Sequence, residues 1–171
     1  MGARANNVGA AWETAIRADL KRWRRSRVVD DWQRQSPETR RVGRGGSKTI
    51  HVDPEGPVDF AAWSRSGAWA WEAKHCEAVR WPLSKLEPHQ ARRLTTWHCP
   101  ALSRYAGIAL RYDLEDGSSS SWLLDWGAIG PLWAIWSVGA AGRGDASIHV
   151  RDAGEYGVPW GAQAFAAKVA P

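Results

Sequence analysis

Two short runs facing each other across a tight turn constrain this chain more than any other feature. Val58 to Trp63 and Ala68 to Lys74 read as strands, and Ser64-Arg65-Ser66-Gly67 between them reads as a turn. With Arg65-Ser66 as a two-residue loop, Ser64 faces Gly67 and Asp59 faces Glu72. Side chains two apart on a strand share a face. Trp69, Trp71 and Ala73 therefore point one way, into a core, while Glu72 and Lys74 point the other. Two carboxylates directly opposite each other, with Cβ atoms roughly 4.5–5.5 Å apart, repel. A divalent cation with oxygen ligands would offset that repulsion. A longer turn makes the pair diagonal, which still allows a shared metal. The plainer reading is a surface hairpin with charges on its wet face.

The flanking segments supply an α/β frame. Val8, Trp12, Ile16, Leu20 and Trp23 form an apolar stripe at helical spacing, with Asn6 or Asn7 as N-cap. Glu13 interrupts that stripe. Val28 to Trp32 and Thr49 to Asp53 read as short strands, and Ser36 to Ser47 as a mobile basic loop rich in glycine. Trp81 to Pro88 reads as a loop, and His89 to Cys99 as a helix carrying Ala91, Leu94 and Trp97 on one side. Gln90 lies one turn before Leu94, so its amide can face the polar side of the hairpin. Tyr105 to Tyr112 and Trp122 to Trp126 read as strands, Ile129 to Trp136 as a helix, Gly139 to Gly144 as a loop, Ser147 to Arg151 as an edge strand, and Gly161 to Val169 as a terminal helix. This order predicts a single α/β domain over residues 1–171 with a mixed sheet.

Charge narrows the function. The chain has 171 residues and a formal net charge of +5. Residues 1–50 hold 12 basic and 5 acidic side chains, so the surplus sits in the first third. Arg22, Arg24, Arg25 and Arg27 form one cluster, and Arg40, Arg41, Arg44 and Lys48 a second. Such clusters suit phosphate contacts, though arginine abundance also follows genome composition. Thirteen tryptophans exceed what one small core readily hides, and Trp122, Trp126, Trp133, Trp136 and Trp160 point weakly to a homodimer interface. No apolar run is long enough for a membrane span and no signal region is visible, so no membrane partner and a cytoplasmic location are expected, with Cys76 and Cys99 as reduced thiols.

Two familiar motifs fail. In Gly46-Ser47-Lys48-Thr49 a serine separates glycine from lysine, and a strand follows instead of the helix a phosphate loop needs. His75-Cys76 and His98-Cys99 lack the gap of zinc-binding pairs, and His75 and Cys76 point to opposite faces of a strand.

The ordered set Gly9-Ala10-Ala11-Trp12-Glu13-Thr14-Ala15-Ile16, Val58-Asp59-Phe60, Glu72-Ala73-Lys74, Trp81-Pro82-Leu83 and His89-Gln90 with Leu94 resembles the RecU-like Holliday junction resolvases. These belong to the PD-(D/E)XK nuclease superfamily and include phage-encoded members. Leu124-Asp125-Trp126 leading into Leu132-Trp133 resembles the family's strand-then-helix ending, so the similarity spans residues 8–136. The resemblance implies a restriction-endonuclease-like αβββαβ core and a magnesium-dependent homodimer, with Mn²⁺ substituting, that nicks four-way DNA junctions symmetrically in recombination and repair. It places Glu13, Asp59, Glu72, Lys74 and Gln90 in the catalytic set. Asp59, Glu72, the carbonyl of Ala73 and Glu13 become metal ligands, Lys74 an electrostatic stabiliser, and the two arginine clusters the DNA contacts. The family's stalk corresponds to residues 36–56, here short and glycine-rich. A different PD-(D/E)XK nuclease, of restriction or repair type, and a non-catalytic basic DNA-binding protein are the alternatives. Metal-dependent cleavage of branched DNA separates them.

Overall fold

The computed structural model describes residues 2–34, 39–42, 49–52, 58–139 and 146–162. Helix α1 (Gly2–Arg25) is followed by β1 (Asp31–Arg34), β2 (Thr39–Val42), β3 (Thr49–Val52), β4 (Phe60–Ser64), β5 (Gly67–Cys76) and β6 (Arg80–Pro82). Then come α2 (Pro88–Trp97), β7 (Arg104–Asp113), β8 (Ser119–Asp125), α3 (Trp126–Gly139), β9 (Ser147–His149), α4 (Ala153–Tyr156) and β10 (Gly157–Pro159). Short 3₁₀ turns cover Leu83–Lys85 and Pro100–Leu102.

One six-stranded sheet, ordered β1-β4-β5-β7-β8-β10, organises the described residues. All neighbours are antiparallel except β5 and β7, which run parallel and are joined through α2. The protein is therefore α/β with a mixed central sheet and helices on both faces. The hairpin register is the one its turn dictates: Ser64 pairs with Gly67 and Phe60 with Trp71, which sets Asp59 one step beyond, level with Glu72. Gly67 adopts φ 153°, and a Cβ there would collide with the carbonyl of Ser103, which accepts the amide of Ala68 at 2.9 Å. Only glycine allows the β7 approach to begin that close to the turn.

The pleat sorts the core into two. On the α1 face, Trp12, Ile16, Leu20 and Trp23 pack on Phe60, Trp69, Trp71 and Ala109. Trp160, just past β10, seals this layer: its ring lies 5.2–5.8 Å from those of Trp12, Trp23 and Trp71, and its Nε1 donates to Asp19 at 2.8 Å. On the other face, Ala70, Ile108 and Leu110 meet Ala91 and Leu94 of α2, Trp126 and Ile129 of α3, and Trp81, Leu83 and Leu86.

Several expectations change. Helix α1 begins at Gly2, so Asn6 and Asn7 lie inside it and do not cap it. The first strand starts at Asp31, because Arg27 (φ 60°) and the turn after it occupy the residues expected to extend. Part of the expected loop at 36–47 is strand: β2 pairs with β3, Arg40 opposite His51 and Arg41 opposite Ile50. Arg44 and Lys48 lie outside the described residues, as do most of the expected terminal helix and of the loop after Gly139. Trp81-Pro82 belongs to a strand, β6, whose partner is β9, so β9 is not an edge of the main sheet. Helix α3 starts three residues early, at Trp126, where Asp125 Oδ1 accepts the amide of Gly127 at 2.9 Å. Of the five tryptophans singled out, Trp122, Trp133 and Trp136 are half-buried against the α2-side core, with the Trp133 and Trp136 rings 6.2 Å apart. Trp126 is buried and Trp160 sits in the α1 layer, whereas the exposed apolar side chains of α3 are Leu132, Ile135 and Val138. Among the described residues, no helix is long and apolar enough to cross a membrane.

Candidate active site

Four of the residues singled out in the sequence converge where β4 begins. Glu72 lies on β5 facing α2, and it is the one charged residue of the described set that is buried, at 2% exposure. Asp59 sits beside it, one residue before β4, with Oδ2 accepting the amide of Ala73 at 2.8 Å. That bond leaves the Ala73 carbonyl as its remaining backbone group for a ligand. Gln90, on the first turn of α2, donates from Nε2 to Glu72 Oε2 at 2.7 Å. Its Oε1 accepts from Lys74 Nζ at 2.8 Å and from the amide of Glu87 at 3.1 Å. The chemistry of these partners fixes the amide orientation, since only the oxygen can face an ammonium and an N–H. Lys74 Nζ is 4.0 Å from Glu72 Oε2.

Local sequence explains why Gln90 arrives there. Glu87-Pro88-His89-Gln90 is a capping box with proline at the first helical position. Glu87 accepts the Gln90 amide while the Gln90 side chain returns to the Glu87 amide. Ala91 and Leu94 anchor the same helix in the core below the carboxylates. The residue that caps α2 thus also ties it to β5. The spacing of Glu87 and Gln90 is visible in the sequence and identifies Glu87 as part of this arrangement.

Burial is the largest influence on Glu72. It raises the carboxyl to about 8, reinforced by the neighbouring Asp59 and opposed by the charge of Lys74. Near neutral pH this carboxyl holds a proton unless a cation replaces it. Two carboxylates and a carbonyl, balanced by one ammonium, are a hard-oxygen donor set short of positive charge, which fits Mg²⁺ or Mn²⁺.

Glu13 does not join the group. Its carboxylate is paired with Arg34 Nη2 at 2.7 Å, on the α1 face of the sheet. Among the described residues, no three His, Cys, Asp or Glu side chains converge as a metal site. Glu13 behaves as a flank residue of its helix that finds an ion-pair partner on the edge strand. Nothing local in the sequence marks Arg34 as that partner. Likewise His75, which bonds Asp113 Oδ2 at 2.8 Å beside Arg111, finds its partners across the parallel strand pair. Cys76 points to the opposite face, into the core.

The basic clusters lie at two different places. Arg34, the last residue of β1, pairs with Phe60, so the chain carrying β2 and β3 leaves and rejoins the sheet beside Asp59. Arg40 and Arg41 ride on that hairpin. The cluster ending α1 lies at the far end of the strands: Arg24 Nε is 3.7 Å from Asp31 Oδ1, and Asp31 pairs with Trp63, level with Ala68. Four strand residues separate that level from Glu72, about 13 Å. Arg22 is paired with Asp19, and Arg25 and Arg27 are exposed. No protein-family model matches the chain, and no curated protein matches it in sequence.

Proposed function

We propose that this protein is a metal-dependent endodeoxyribonuclease of the PD-(D/E)XK type that resolves four-way DNA junctions by paired nicks. The observation that carries the reading is the convergence of Asp59, Glu72, Lys74 and Gln90 at one end of the β4–β5 hairpin, with Glu72 buried. The succession α1, β1, β4, β5, α2, β7, with β5 and β7 parallel, follows the αβββαβ order of restriction-endonuclease-like cores and supports it. The β2–β3 hairpin falls between β1 and β4 in chain order, which is consistent with a stalk insertion in such a nuclease.

Asp59, Glu72 and the carbonyl of Ala73 would hold the metal. A divalent cation in such a site supplies charge stabilisation at a scissile phosphate and acidifies a bound water. Lys74 keeps its ammonium beside the carboxylates because Gln90 Oε1 fixes it, so it neutralises charge developing on phosphate oxygens. Gln90 orients both Lys74 and Glu72 from a helix anchored in the core. Arg40, Arg41, Arg44 and Lys48 supply positive charge for the DNA backbone in this reading. Glu13, paired with Arg34 at 2.7 Å, is no ligand in this reading. Two nicks in a twofold-symmetric junction call for a homodimer, and a cytoplasmic location belongs to the same reading.

The deciding experiment incubates the protein with end-labelled four-way, flapped, nicked and linear DNA, with Mg²⁺ or with EDTA. Paired symmetric nicks in the four-way substrate, abolished by EDTA and by Asp59→Asn, are expected. Equal cleavage of linear duplex would replace junction resolution by general nuclease activity. No metal-dependent cleavage of any substrate would defeat the nuclease reading altogether.

A further inference from the structure

The end of α1 carries a feature that the cleavage site does not use. Lys21, Arg24 and Arg25 recur at three- and four-residue spacing, so they share one helix face. That face lines a groove with Trp32 of the edge strand β1. Trp32 pairs with Ala62, a residue of the α1-side core, and packs against that core while remaining partly exposed to the groove. Arg24 has a single loose ion pair with Asp31, both side chains more than 60% exposed. Among the described residues, Lys21 and Arg25 have no acidic partner.

The helix terminus shows a second oddity. Val28 donates its amide to the carbonyl of Trp23 at 2.9 Å and Arg27 to that of Arg24 at 3.1 Å. This is a Schellman ending, in which the left-handed residue is normally glycine. Here it is Arg27, at φ 60°. A side chain in that conformation is strained, yet the chain places a cation there, next to three others.

Resting on the nuclease reading, we propose that this groove is a second DNA-contact surface that grips a single strand, phosphates on the cations and an unpaired base on the Trp32 ring. A continuous duplex hides its base faces, whereas cations interleaved with an indole suit a single strand. Trp32 is level with Ala62 and Trp69, three residues along the strand from Glu72, so the gripped strand lies about 10 Å or more from the cut.

Binding is measured by fluorescence anisotropy in EDTA, with a single-strand-tailed duplex and a blunt duplex as probes. The Lys21→Ala/Arg24→Ala/Arg25→Ala variant should bind the tailed probe at least tenfold more weakly. Its slope of log affinity against log salt should fall in magnitude by about 2, at roughly 0.7 per contact. Trp32→Ala should lose about five- to a hundredfold on the tailed probe, little on the blunt one, and Trp32→Phe should recover most of it. Arg27→Gly should raise the melting temperature by about 2–4 °C, from relief of about 1 kcal/mol of strain, while weakening binding. A triple variant with unchanged slope and affinity, or a Trp32→Ala loss equal on both probes, overturns the proposal. If the wild-type protein still cleaves DNA with Mg²⁺ in that case, the nuclease reading survives. If it binds neither probe, this proposal falls, and cleavage of four-way DNA with Mg²⁺ decides the nuclease reading separately.

Discussion

The two faces of the central sheet are built on opposite principles. Under α1, tryptophan meets tryptophan: Trp12, Trp23, Trp71 and Trp160 fill one layer, and the buried set contains no charge. Under α2, the buried Glu72 is joined by hydrogen bonds to the half-buried Gln90 and, through it, to the half-buried Lys74. Burying a carboxylate costs several kcal/mol unless it is partnered or protonated. The α1 face therefore secures the fold, while the α2 face spends part of that stability to keep an ionisable group poised.

Substitutions that cut through one face and spare the other test this contrast most sharply. Asp59→Asn, Glu72→Gln and Lys74→Ala should each lower single-turnover cleavage with Mg²⁺ by at least about a thousandfold, the scale of a lost metal or phosphate-charge contact. Circular dichroism of each should remain that of the folded protein. A variant at either carboxylate that cleaves at the wild-type rate would end the assignment.

On the opposite face, Trp71→Ala should destabilise the protein by about 3–5 kcal/mol in urea unfolding. Cleavage per folded molecule should fall far less than for its neighbour Glu72. A loss of cleavage as deep as that of Glu72→Gln would show the two faces to be one mechanical unit.

The pH dependence of stability offers a smaller effect of definite sign. Glu72 titrates near 8 in the folded chain and near 4.5 when unfolded. Between these values unfolding releases a proton, so stability is full below about pH 4.5 and declines as pH rises to about 8, by on the order of a few kcal/mol. In EDTA, Glu72→Gln should remove this decline, making the variant more stable than wild type at pH 8 and no more stable at pH 4.5. Mg²⁺ should stabilise wild type most at the alkaline end. Parallel pH profiles for the two proteins would contradict the buried protonated carboxyl.

Gln90→Ala should cost about 1 kcal/mol from the broken capping box, with reduced cleavage because Lys74 loses its anchor. Glu87→Ala should lose similar stability and less cleavage. The smallest change is expected for Glu13→Gln, whose carboxylate meets Arg34 at a half-exposed position, a setting in which ion pairs contribute about 0–1 kcal/mol. A loss of cleavage as large as that of Asp59→Asn would bring Glu13 into the metal shell despite its pairing.

Local periodicity made a large part of this molecule legible. The stripe Trp12, Ile16, Leu20, Trp23 could only be one buried face of a helix, and those residues are buried as a set. A two-residue turn at Arg65-Ser66 leaves one register, and that register alone brought Asp59 beside Glu72. The helix expected over His89 to Cys99 is α2, Pro88–Trp97. These features depend on residues a few positions apart, where backbone geometry permits few answers. The tertiary structure decided what depends on distant partners. Glu13 went to Arg34, the α1 basic cluster was carried to the far end of the strands, and Trp160 was drawn 141 residues back to bond Asp19. Glu72 was expected on a polar face and became buried only because α2 closed over it in bridging the parallel pair β5–β7. Spacing along a strand says which side a carboxylate faces. Whether water or a helix waits on that side is settled by packing between segments that share no local pattern.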